Sequence, residues 1–205
     1  MPPKFKITII AVISFITLIL SVREFDLYKK TKESDDLFEL IEVFKESCQQ
    51  YAFDIGQYPR EHFDVAYSNF LAHNLIANPA NYEVDTSTML SWNGPYIEER
   101  FLKRVYMYPG IIRIENFIET SEAFDLDSDN YPEIKGKGCY VTFSNVPLDL
   151  ADSIDKKIDE RLSNSNWQTT GKVKYSEKTH ILSVLLVWNI IKGKVLDSNA
   201  GGGMS

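Results

Sequence analysis

The apolar positions of this chain fall into three regimes. From Ile7 to Val22, sixteen consecutive residues carry no charge, and nearly all are Ile, Leu, Val, Phe, Thr or Ala. From Ser34 the pattern becomes periodic. Leu37, Leu40, Ile41, Phe44, Cys48 and Tyr51 recur at steps of three and four, which places them on one stripe of a helix. Glu39, Glu42, Lys45, Glu46 and Gln49 take the other face. Between the two stretches, Arg23 to Ser34 is mostly charged, with Phe25, Leu27 and Tyr28 as its apolar residues. No Pro or Gly occurs from Phe5 until Gly56. The whole stretch therefore predicts one helix of about 49 residues, a rod of roughly 73 Å at the usual rise. Gly56 is its expected stop, with Pro59 just beyond. The stripe predicts a helix face packed on a sheet, and Phe38, off the stripe, is a candidate contact point.

The third regime begins after Pro59. Phe63 to Leu75 has the spacing of a short helix (Phe63, Ala66, Tyr67, Phe70, Leu71, Leu75), and Asn78-Pro79 breaks it. Ser91-Trp92-Asn93-Gly94-Pro95-Tyr96-Ile97 predicts a compact turn. Gly94 frees the backbone, Pro95 fixes φ, and Trp92 and Tyr96 clamp the loop on the core. Strands are expected at Arg104–Tyr108 and Ile111–Phe117 around the turn signal Pro109-Gly110, with Ile112, Ile114 and Phe117 half-buried. Gly138–Val146 is the strongest strand. Pro147 opens a second helix, Leu148–Leu162, with Leu150, Ile154, Ile158 and Leu162 at four-residue steps. Gly171–Tyr175 and Ile181–Ile191 read as a closing hairpin, the latter a central strand. The tail from Gly193, with Gly201-Gly202-Gly203, reads as disordered. The expected fold class is α+β: a long N-terminal helix, transmembrane then amphipathic, packed on an antiparallel β-sheet head with a second helix. The segments are a leader (1–6), a membrane span (7–22), an amphipathic spine (23–56), a head (57–192) and a tail (193–205).

Composition narrows the function. The chain has 205 residues, a formal net charge of -7 and 25% charged residues. An acidic chain without a basic stripe is a poor nucleic-acid binder, because phosphate contact needs clustered Lys and Arg. Aromatic content of 13% suits a β-rich core and surfaces that dock on proteins. Sixteen uncharged residues fall just short of the roughly 17–25 of a membrane span, and Phe5 with the Lys6 stem can extend it. A secretory signal would end at a small-residue cleavage site, but Ile19 stands where one is wanted. The run reads as an uncleaved single-pass anchor. The short N-terminus, free of acidic residues, resembles a cytoplasmic leader, with the head on the far side.

Three chemical features remain. Cys48 and Cys139 are the only two cysteines. In an oxidising compartment they can pair and tie the long helix to a later strand; otherwise they are two buried thiols. Asp125, Asp127 and Asp129 alternate in a turn, followed by Asn130 and Glu133. Carboxylates in this pattern can converge on a hard cation such as calcium, with Asn130 where such loops usually have Gly; an acidic solvated turn is the plainer reading. Gly136 stands where a closing bidentate Glu would be, so Glu133 serves only in part. No nucleophile–base motif, phosphate-binding loop or zinc motif is present, so the expectation is a non-enzymatic protein.

Three stretches together resemble type IV pilins and the pseudopilins of type II secretion. The first is the basic leader and apolar helix running into an amphipathic helix. The second is Asp54-Ile55-Gly56-Gln57-Tyr58-Pro59, similar to the end of the pseudopilin spine. The third is Trp92-Asn93-Gly94-Pro95-Tyr96-Ile97, similar to the turn before the pseudopilin sheet. Asn145-Val146-Pro147, a helix ending Ile158-Asp159 and then Gly171-Lys172-Val173 resemble the C-terminal part of some pilin-like proteins. Pseudopilins often hold calcium in a loop near the sheet. Two positions depart from the family. Lys4 stands before Phe5 where a glycine precedes the peptidase cut, and no acid occurs before Glu24. The resemblance implies an anchored pilin-like component of a bacterial inner-membrane machine for secretion, pilus assembly or a motor. Its head would lie in the periplasm or outside, with the membrane and other envelope subunits as partners. The alternative is a bitopic sensor whose head binds calcium or a small molecule.

Overall fold

The computed structural model describes residues 3–59, 75, 92–120, 123–127, 129, 131–159, 167–188, 190–191 and 194–195, with side chains from Ser14 onward except at 106, 137, 190–191 and 194–195. The chain forms two compact units, Met1–Leu37 and Phe38–Ser205, and each is described by itself.

Helix α1, Pro3–Ile55, has 53 residues and runs through both units. Within the first unit it carries side-chain bonds of its own: Ser21 Oγ donates to the Thr17 carbonyl and Thr31 Oγ1 to that of Leu27, both at 2.9 Å. Its end is where the sequence places it. Gly56 takes φ 78°, and its N–H donates to the Ala52 carbonyl at 2.8 Å, closing the last turn. The expected stripe is the buried one: Leu37, Leu40, Ile41, Phe44, Cys48 and Tyr51 are all within 5% of full burial.

The second unit is built on a four-stranded antiparallel sheet of order β1-β2-β4-β3. The strands are β1 Ile112–Ile118, β2 Gly136–Phe143, β3 Val173–Ser176 and β4 Ile181–Val187. Register explains the core. Ile112, Phe143, Leu182 and Tyr175 face one another across the four strands, as do Ile114, Val141, Val184 and Val173. All eight are buried. The intervening row, Arg113, Thr142, Ser183 and Lys174, is polar and lies on the opposite face, as the period-two pleat requires. The aliphatic face receives α1. Phe44 meets Phe143 with ring centroids 6.3 Å apart, and Cys48 meets Cys139 one helical turn further on. The opposite face is covered nearer the β2 start, where Ile118, Phe124, Tyr140 and Leu185 form a second cluster.

Several sequence expectations need correction. Arg104–Tyr108 is not a strand. It belongs to helix α2, Glu99–Met107, whose Phe101 and Val105 lie one turn apart and are buried while Met107 is exposed. Alternation over four residues could not distinguish the two periods. Phe117 is exposed and Ile118 takes the inward place. Alternation from Ile112 and Ile114 leads to Ile118 rather than Phe117, and the irregularity between Glu115 and Phe117, with the extra residue on β2, lies between Ile114 and Ile118, which packs with Tyr140. The second helix, α3, spans Leu148–Ile158, and its buried residues are Ala151, Ile154 and Asp155, so Leu150 lies beside the stripe. The closing strand ends at Val187 rather than Ile191. Ile190–Ile191 (β5) pairs instead with Lys194–Val195 (β6), whose residues lie in the tail expected to be disordered. The expected helix at 63–75 and the break at 78–79 lie outside the described residues, apart from the buried Leu75.

Candidate functional site

Two of the sequence motifs meet each other. The turn at Trp92–Ile97 docks on the last turns of α1. Tyr96 donates its hydroxyl to Asp54 Oδ2 at 3.0 Å and accepts from the Asn93 N–H at 3.0 Å. Its backbone carbonyl accepts from Ser47 Oγ at 2.9 Å, and its N–H reaches the Leu75 carbonyl at 2.8 Å. Trp92 and Tyr51 each set an edge against the Tyr96 ring, at centroid distances of 6.0 and 5.5 Å. The Gly94-Pro95 peptide is cis. Gly94 is needed because a Cβ there would strike both the Trp92 and Tyr96 rings. Desolvation, reinforced by the Asp54 carboxylate, pushes the Tyr96 phenol up to about 12. Trp92 and Tyr96 are thus clamps, and Asp54, seen in the sequence only as a helix-end residue, is the anchor they hold. Gly56 ends the helix, Tyr58 is half-buried and Pro59 is buried beyond it. Phe38 carries Lys157 over its ring at 5.6 Å and so contacts the end of α3.

The cysteines come together as well. Their sulfurs lie 3.4 Å apart, and both residues are fully buried as thiols. Burial, with the Cys48 sulfur beside it, pushes the Cys139 thiol up.

The third cluster is acidic. One carboxylate oxygen each from Asp125, Asp127, Asp129 and Glu133 lies within 4.8 Å of all the others. Backbone bonds orient three of them. Glu133 Oε2 accepts from the Leu126 N–H at 2.6 Å, Asp127 Oδ1 from Asp129 at 3.1 Å, and Asp129 Oδ1 from Tyr131 at 2.7 Å. The base of the loop is tied to the sheet. Phe124 and Ile134 exchange backbone bonds, and the Asp125 carbonyl accepts from the Gly171 N–H at 2.6 Å. Asn130 lies outside the described residues. Ligand atoms around calcium sit at about 2.3–2.6 Å, so opposite ligands are about 5 Å apart. The measured spread fits such a sphere, and the cluster could hold a metal ion.

In the sequence Asp159 stands only as the end of a helix. Its carboxylate accepts from the Lys172 N–H at 2.9 Å and the Val173 N–H at 3.3 Å, which joins the end of α3 to the start of β3. Gly171, at φ 89°, backs onto that carboxylate and leaves no room for a Cβ. The spacing of Asp159 and Gly171-Lys172-Val173 was visible in the sequence; the bond was not.

Nearer its other end α1 shows a different surface. Phe15, Ile16, Leu18, Ile19, Leu20 and Val22 are each more than half exposed. At 100° per residue they cover an arc of about 200°, with Thr17 and Ser21 on the remaining side. Among the described residues no helix is long and apolar enough to cross a membrane, and the side chains of residues 7–13, the first part of the apolar run, lie outside the described ones. Compared with known proteins, the chain matches no family model, no curated protein and no solved structure.

Proposed function

We propose that this protein is a non-enzymatic, membrane-anchored pilin-like subunit of a bacterial envelope machine, working through protein contacts. One observation carries the reading: a single helix whose N-terminal part exposes apolar side chains over a broad arc and whose C-terminal part is the spine of an antiparallel head. Leaving a large apolar side chain in water forgoes about 1.5–3 kcal/mol. Six such residues over about 200° of helix surface call for an apolar environment, and a bilayer supplies it. The residues before Ser14 continue the same composition. Among the described residues of the head, the Asp54–Tyr96 and Asp159–Lys172 contacts position its parts. The test is fractionation of cells carrying the full chain, followed by crosslinking and detergent extraction. Recovery in the membrane fraction, within a complex larger than the chain, is the expected result. Recovery as a free monomer in the soluble fraction would sink the reading.

The acidic cluster favours a second reading, a head that binds calcium. Asp125, Asp127, Asp129 and Glu133 would supply hard oxygen ligands, with water or backbone carbonyls completing the six to eight that calcium takes. Calcium at one hundred times its Kd would stabilise the head by about 2.7 kcal/mol. The expected outcome is a melting temperature that rises with calcium and returns in chelator, lost in Asp127→Asn/Asp129→Asn. An unchanged transition would dismiss calcium and leave the anchored-subunit reading intact.

A further inference from the structure

We propose that Cys48 and Cys139 are a modification site: they close into an intramolecular disulfide that fastens α1 to β2. Three observations support it. They are the only cysteines in the chain, so one intramolecular pairing exists. Their sulfurs already touch at 3.4 Å. The elements that carry them are aligned by packing that does not involve sulfur, since Phe44 and Phe143 meet one helical turn away. A disulfide needs the sulfurs at about 2.05 Å. Small side-chain rotations supply the remaining approach without a new backbone register.

The chemistry balances with a disulfide oxidant of the thiol-exchange class, such as oxidised glutathione. One thiolate of the pair attacks the oxidant's sulfur, and a mixed disulfide forms as one thiol leaves. The second cysteine displaces the other oxidant sulfur as a thiolate. The two cysteines lose two electrons in total, and their two protons end on the two thiols released. Because both residues are fully buried, exchange takes place before α1 docks on the sheet. The finished bond is then shielded from reductant.

The bond closes a loop from α1 to β2 that contains the Trp92–Ile97 turn, α2 and β1. It therefore joins the spine to the sheet at a second level, beyond the Asp54–Tyr96 contact. Its formation in cells rests on the extracytoplasmic reading above, whereas its geometry does not.

The test uses the full-length chain in detergent, unfolded and refolded in oxidised and reduced glutathione. The expected product is a monomer lighter by two hydrogens, about 2 Da, with the Cys48 and Cys139 peptides joined. Its melting temperature should exceed that of the reduced chain by about 5–15 °C. The Cys48→Ala/Cys139→Ala variant should lose that redox dependence while keeping the reduced chain's transition within a few degrees. Equal alkylation of both refolded samples after denaturation, or a product linked between chains, would overturn the proposal. Acid-trapped protein from cells separates the two ideas. A chain oxidised in vitro but reduced in cells supports the site and counts against the extracytoplasmic placement.

Discussion

The two parts of α1 are made of the same kinds of residue and have opposite surroundings. Phe15 is 64% exposed and Leu18 61%, whereas Phe44 and Cys48 are at 0%. Hydrophobicity does not explain the difference; arrangement does. Leu40, Ile41, Phe44, Cys48 and Tyr51 keep to one stripe about 100° wide, and an apolar sheet face lies under it. In residues 15–22 the exposed apolar residues spread over about 200°, twice that width. A narrow periodic stripe thus marks a helix face that folds against its own chain.

That contrast can be broken in order of size. Replacing Phe15 and Ile16, near the middle of the 7–22 span, with Arg should weaken membrane insertion by about 5–7 kcal/mol, since a charge at a span centre costs about 2.5–3.5. The variant should move from the membrane pellet to the soluble fraction with the head's transition unchanged. A variant that stays in the pellet through alkaline washing would end the anchor reading. Phe44→Ala should do the reverse. It should cost the head about 3–5 kcal/mol and lower its Tm by roughly 10 °C or more, while the chain remains in the membrane fraction. If its thermal transition hardly moves, the stripe is not the core face.

The smallest effect belongs to the Tyr96 clasp. Tyr96→Phe removes the bond to Asp54 and should cost about 1 kcal/mol, a Tm change of about 2–4 °C. The clasp also predicts alkaline behaviour. Tyr96 and Tyr108 are pushed up to about 12, in both cases chiefly by burial. The folded state therefore holds these phenol protons more tightly than the unfolded chain, whose tyrosines titrate near 10. Stability from this source is complete below about pH 10 and is lost as pH rises towards 12. Calorimetry across that range, with tyrosinate absorbance recorded in parallel, should show a steeper loss in the parent chain than in Tyr96→Phe. Parallel profiles would mean that Tyr96 contributes nothing to the alkaline transition.

The sequence by itself determined the long helix, its stop at Gly56, its buried stripe, the β3–β4 hairpin and the alternation of Asp125, Asp127 and Asp129. These are legible because they depend on neighbours within a few residues: helix period, strand period and the φ freedom of glycine. Only the tertiary structure decided that Arg104–Tyr108 is helical, because the burial of Phe101 and Val105 in the head outweighs local alternation. It also decided where the β1–β2 ladder is irregular, since a bulge is a property of a strand pair. Asp54 meeting Tyr96, Cys48 touching Cys139 and Asp159 holding the start of β3 are contacts across 42, 91 and 13 or 14 residues. No local pattern encodes such distances; they follow from the register of the sheet and the seating of the spine upon it.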